Sequence, residues 1–430
     1  MPPEGAQQDL YPSVASASTS IELLGNNRKM SGGAPGTATD LEADDLSVAV
    51  TLADAGTLLF SRVGASTVWP MKASVEVLEY LPKEGQPTER NKFLVLGRYT
   101  ANLNAGVASR AITVSGVTRR GRCIPFITGI KCEETTDGGA RATAYAILDS
   151  DTQLTVHCGG SSGRTAVQVV LVEFTGTNWT VGHGRASSSA DTGTINLYGN
   201  SDGTTGDAFA VPAWTNAAIF GQHKGDDLSD TNEAIADNWP LFEPGSSTST
   251  VNWTFQSDHT TGTQVHMAHV LAHGDMSVQR MSDTQNTEGA MNVAISPALS
   301  AMDRAFVVVS RTSSGTGTGY GRGWVNAEIT STTNVQLWAH RSGNTVASRI
   351  QVVDLSGLTD LTDVSPGLIS STTSVSGPTL SLRGVVVGQG SMHTQPKLKR
   401  PRTSASVGGP ARGTSASNHG AHAGGSSNII

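Results

Sequence analysis

Cysteine, aromatic side chains and charge are all scarce in these 430 residues, and each scarcity excludes something. Three cysteines, Cys123, Cys132 and Cys158, are an odd number without C-x-x-C spacing, which argues against a disulfide-stapled scaffold, a zinc ribbon or a redox dithiol. They read as reduced, buried thiols, with a Cys123–Cys132 hairpin bridge as the alternative. Charged residues at 15% and aromatics at 5% exclude a helical bundle or coiled coil, which is built from Ala, Glu, Lys, Leu and Arg. A net charge of −7 supplies no global attraction to nucleic acid or to an anionic membrane. The longest apolar run, 167–172, is broken by Gln168 and falls far short of the roughly 18 residues of a membrane helix. The opening residues show neither a basic nor an apolar signal region, so synthesis in the cytoplasm without membrane insertion is expected.

What is abundant is glycine, 49 residues, with Ser and Thr in almost every segment, and that favours short strands joined by turns. A divergent internal repeat organises them. A short strand turns through a polar loop into a longer one at 58–62 and 74–81, at 153–157 and 166–174, at 251–255 and 264–272, and at 335–340 and 349–355. Matching Tyr80, Phe174, Ala272 and Leu355 gives separations of 94, 98 and 83 residues. That period is domain-sized and exceeds the roughly 20–50 residues of a solenoid coil. In 335–340, Val335, Leu337 and Ala339 alternate with Gln336, Trp338 and His340, the period-two signature of a half-buried strand.

The expected fold is all-β: tandem antiparallel β-sandwich or small-barrel repeats of about 90 residues with flexible terminal arms. The expected divisions are an N-terminal arm at 1–45, a partial repeat at 46–82, and repeats at 83–176, 177–275 and 276–357. A short β segment at 358–390, read as the opening of a further truncated repeat, and a low-complexity basic, Gly/Ser/His tail at 391–430 complete the chain.

No chemical signature stands out. His266, His269 and His273, with His259 nearby, would make a zinc-ligating face on a helix, but on a strand His269 and His273 share one face and His266 the other, leaving at most two ligands. The acidic stretches 225–230 and 149–151 lack the closing Glu of a calcium loop and read as solvated turns. The glycine run 315–323 fits no phosphate-binding pattern. Ser161 sits in a G-x-S-x-G string that a strand, not a helix, follows. The seven tryptophans, Trp69, Trp179, Trp214, Trp239, Trp253, Trp324 and Trp338, read as core or interface anchors rather than sugar platforms. The basic run 397–402 reads as a docking segment. The expectation is therefore no enzyme, with no catalytic, cofactor or metal residue.

Segment 167–181 (VQVVLVEFTGTNWTV) and its echo at 349–357 resemble the strand-and-turn repeats of tailed-bacteriophage fibre and tail-associated virion proteins. That resemblance, extending over about 46–357, implies a structural virion component acting by homo-oligomeric assembly, trimeric or hexameric, on other virion proteins, with a host glycan or receptor as a further partner. A capsid decoration protein or a carbohydrate-binding adhesin is the alternative. Loops 199–207, 225–233 and 312–323 are the expected outward contacts.

Overall fold

The computed structural model describes residues 6–9, 20–29, 48–55, 57–61, 71–81, 90–132, 142–160, 163–225, 239–255, 263–286, 289–314, 324–340, 345–358 and 379–388. Among these, β-strands are joined by turns and short 3-10 segments, and no helix is long and apolar enough to cross a membrane.

The first group of strands is β1 (Ala6–Asp9), β2 (Ser20–Lys29), β3 (Ala49–Asp54), β4 (Thr57–Ser61) and β5 (Met71–Leu81). The second is β6 (Leu94–Leu103), β7 (Ser109–Thr113), β8 (Cys123–Cys132), β9 (Ala144–Ser150), β10 (Gln153–Cys158) and β11 (Thr165–Glu173). The third is β12 (Trp179–Ser188), β13 (Thr192–Asn196), β14 (Ala217–Lys224), β15 (Leu241–Pro244), β16 (Thr250–Thr254) and β17 (Gln264–His273). The fourth is β18 (Ser277–Gln285), β19 (Gly289–Ala294), β20 (Ala305–Ser314), β21 (Trp324–Ser331), β22 (Asn334–His340) and β23 (Thr345–Asp354).

In the last three groups the sixth strand lies between the first and third, as β6-β11-β8, β12-β17-β14 and β18-β23-β20. The fifth lies between the second and fourth, as β7-β10-β9, β13-β16-β15 and β19-β22-β21, all antiparallel. Each group is a sandwich of two three-stranded sheets around its own apolar filling, such as Leu154, Val156 and Val169 in the second and Val335, Leu337 and Ile350 in the fourth. The alternation of β-branched and polar residues along these strands sends one set inward, which is why the pairing register is fixed.

The first group follows the same plan with β1-β4-β3 and β2-β5. Its β1 and β2 fall within the stretch expected as an arm, so that stretch supplies strands. A final strand, β24 (Thr379–Gly388), pairs with β5 in parallel, the one parallel pair among the described strands. It completes the first sandwich instead of opening a further repeat, because β5 presents an edge that the other three sandwiches cover with their own first strand.

The sandwiches join through their edges. Ala49 of β3 pairs with Gly129 of β8, and His223 of β14 with Ala144 of β9, so a sheet of one sandwich runs on into a sheet of the next. Gly129 has φ +150°, and a Cβ there would lie 2.3 Å from the Ala49 Cα, so only glycine permits this approach. Strand β15 lies beside β20, and β21 beside β2, which closes the four into a ring. Their outer sheet faces meet in a shared apolar centre: Ile21, Tyr80, Phe126, Phe174, Leu271 and Phe306 belong to one buried cluster.

Two details differ from the sequence-based expectation. Tyr80, Phe174 and Leu355 point into this centre, whereas Ala272 points into its own sandwich; the residue sharing their position is His273, in contact with Trp179. Cys123 and Cys132 lie at opposite ends of β8, so they do not flank a hairpin, and none of the three cysteines is disulfide-bonded. Burial, then the neighbouring Glu173, pushes the Cys123 thiol far up, which makes it inert.

Candidate functional site

The polar chemistry of the molecule collects at the seams between sandwiches, where side chains must satisfy backbone groups that strand pairing leaves open. Between the second and third sandwiches, Gln222 donates from Nε2 to the Pro125 carbonyl at 2.7 Å and accepts from the Ala146 amide at 2.8 Å. Between the third and fourth, Gln351 accepts from the Ile219 amide at 2.9 Å and donates to the Ile219 carbonyl at 2.7 Å. Between the fourth and first, the Glu76 carboxyl accepts from the Val307 amide at 3.1 Å. Glu243 and Arg349 pair at 2.8 Å across the third seam, but both are about one-third exposed, so this ion pair adds little.

The second seam also holds histidines. On β12, His183 sits between Gly182 and Gly184, and both flanking positions must be glycine: a Cβ at 182 would lie 2.2 Å from the Phe209 ring and one at 184 would lie 2.3 Å from Ile195 Cγ2. His183 is opposite His269 of β17, and their Nδ1 atoms are 2.8 Å apart. The Gly121 carbonyl, 3.1 Å from His183 Nε2, accepts a hydrogen there, which leaves His183 Nδ1 bare and requires His269 Nδ1–H to donate. Both rings are fully buried. Burial lowers the His183 pKa to about 4, with the Gly121 carbonyl and Asp202 acting in the opposite sense. The His269 pKa is held well below its ordinary value by burial and then by His183, with the Ala146 backbone opposing.

A second pair, His223 and His266, faces the interior of the third sandwich, with Nδ1 atoms 3.2 Å apart and the His266 ring stacked on Trp253 at 3.9 Å. His273 Nε2 meets Asn91 Oδ1 at 2.7 Å. The strand alternation expected for 266, 269 and 273 is therefore present, and the histidines go to three different partners. Among the described residues no three His, Cys, Asp or Glu side chains gather to hold a metal ion. No protein-family model matches the sequence, and no curated protein matches it.

The other sequence candidates are dispersed. Asp149 and Asp151 form the end and turn of the β9–β10 hairpin. His259, Ser161, the glycine run 315–323, the acidic residues after Gly225, Trp69 and the basic run 397–402 lie outside the described residues. Trp179 and Trp253 are buried anchors, Trp179 donating to the Asn91 carbonyl at 2.8 Å, while Trp214 and Trp239 lie under Arg280 and Arg311. Sequence reading missed His183, Gln222, Arg280 and Gln351, because nothing local distinguishes a seam residue from a solvated one. The available signal was a polar residue on a strand whose two faces are otherwise apolar, as for Gln351 in 349–355.

Proposed function

We propose that this chain is a non-enzymatic structural component of a phage virion, tail-associated or fibre-like, acting by homo-oligomeric assembly and by docking on other virion proteins. The observation that carries the reading is the edge-to-edge continuation of sheets from one sandwich into the next, at Ala49–Gly129 and His223–Ala144. Edge strands are templates for further pairing, and a protein whose sandwiches already join in this way is built for the kind of contact an assembly uses. The short strands β7, β13 and β19 each carry one partner among the described residues and little charge, Arg110 being their one charged side chain. In the turn at 199–207, Ser201 is buried and donates to the Leu148 carbonyl, while residues 204–207, ordered by Asp202 accepting from the Thr204 and Thr205 amides at 2.9 Å, are exposed and form the part open to a host contact. Light scattering on the purified full-length chain tests the reading. A defined trimer or hexamer is expected, and a monomer at all concentrations would overturn it.

A further inference from the structure

One register position of the first long strand does the same work in three sandwiches. Arg98, opposite Val170, donates to the Ser20 carbonyl at 2.7 Å. Arg280, opposite Gln351, donates to the Trp214 and Ala217 carbonyls. His183, opposite His269, reaches the Gly121 carbonyl. Each side chain ties its sandwich to the start of a strand, or to the 3-10 turn before it, in the preceding sandwich. Two of the three are arginines, which stay charged throughout the physiological range, and the residues opposite them are neutral. The third sandwich alone places a titratable ring at both positions.

We propose that the seam between the second and third sandwiches is an acid-opening joint, in which protonation of the His183–His269 pair parts these two sandwiches while the arginine-tied seams hold.

The geometry dictates the sense of the response. With both rings neutral, one N–H lies between the two Nδ1 atoms and that contact is satisfied, while His269 Nε2 is buried without a hydrogen-bond partner among the described residues. One added proton leaves a cation in a buried site, and two added protons set two N–H donors against each other at that 2.8 Å separation. Opening the seam hydrates both rings and removes the conflict. The lowered pKa values of both histidines agree with this sense.

The surroundings offset the added charge only in part: burial outweighs the Gly121 carbonyl and Asp202, both of which favour a charged His183. Arg120 and Arg122 on the 3-10 turn, Arg185 on β12 and Lys224 on β14 are cationic, against Asp149 on β9 and Asp202 in the loop after β13. Asp202 already accepts from Thr204 and Thr205 and lies near Arg120. His157, stacked on Tyr145 of β9, His273, farther along β17, and Tyr198, whose backbone pairs with that of His183, are further titratable side chains on the elements around the pair. The His223–His266 rings face the interior of the third sandwich against Trp253, although the His223 backbone pairs with Ala144 across the seam, so the double variant at His183 and His269 is what separates the two pairs.

Hydrogen exchange of the full-length chain at pH 7 and pH 5.5, corrected for the intrinsic pH dependence of exchange, tests the proposal. Peptides covering 120–122, 144–150 and 179–188 are expected to lose protection about tenfold for each histidine that must charge on opening. Peptides 305–314 and 345–354, at the arginine-tied seam, are expected to stay protected. The double variant His183→Arg with His269→Gln, which copies the Arg280–Gln351 pair, is expected to abolish the response. Unchanged protection at the second seam, equal loss at both seams, or an undiminished response in the double variant would overturn the proposal. Should the variant not fold, the comparison of the two seams in the natural chain decides.

Discussion

Gln351→Met isolates what a seam residue contributes. Methionine matches glutamine closely in length and fills the same buried space, but it neither donates to the Ile219 carbonyl nor accepts from the Ile219 amide, bonds now made at 2.7 and 2.9 Å. Gln351 is 5% exposed and Ile219 1%, so water does not replace the lost partner. Each buried backbone group left unsatisfied costs about 1–3 kcal/mol, so the pair costs about 2–6 kcal/mol. The more apolar side chain returns a fraction of this. The loss is local to one seam, so a local readout resolves it better than a global midpoint. Hydrogen exchange at the Ile219 amide reports the seam itself, and about 2 kcal/mol corresponds to roughly 30-fold faster exchange there. Exchange at Ile219 within threefold of the natural chain would refute the claim that side chains, not apolar contact alone, hold the sandwiches together.

Further outcomes are expected elsewhere. Stability falls with acid: the His183 pKa is lowered in the folded chain to about 4, so the neutral ring's contribution is complete above an unfolded value of about 6.5 and about 3 kcal/mol is lost as pH falls toward 4, readable as a drop in urea midpoint. Trp179→Ala removes a fully buried ring and its bond to the Asn91 carbonyl, costing about 3–5 kcal/mol in thermal or urea unfolding. Glu173→Ala leaves the Thr118 and Arg119 amides, now bonded at 2.9 and 3.0 Å, without an acceptor, and limited proteolysis should cut near 115–120. Gly184→Ala forces a side chain against Ile195 and should cost about 1–3 kcal/mol. Gly274→Ala, with nothing within 4 Å, should leave the melting temperature unchanged.

The sequence carried the strands better than the seams. Period-two alternation in 335–340 marked β22, and the mixed pattern in 349–355 marked β23 as covered on both faces: Ile350 and Val352 fill the fourth sandwich while Val353 and Leu355 face the shared centre. The same signal misplaced the match at Ala272 by one residue, because His273 occupies an otherwise apolar position and hydrophobicity pointed to its neighbour. The joining of β3 to β8 and β9 to β14 was invisible, since it depends on single close approaches such as that at Gly129. The His183–His269 contact was equally hidden, as it joins residues 86 apart whose meeting depends on strand register.

Four sandwiches close into one ring, with strand edges paired at two of its junctions and packed side by side at the others. Hydrogen exchange at neutral pH over the whole chain tests it most directly. In the ring, the second edges of β8, β9 and β14 are covered around Gly129, Ala144 and His223, and amides beside these points should exchange slowly, while β7, β13 and β19, with one partner each among the described strands, should exchange faster. If those amides exchange as fast as β7, β13 and β19, the sandwiches are independent and the ring is wrong.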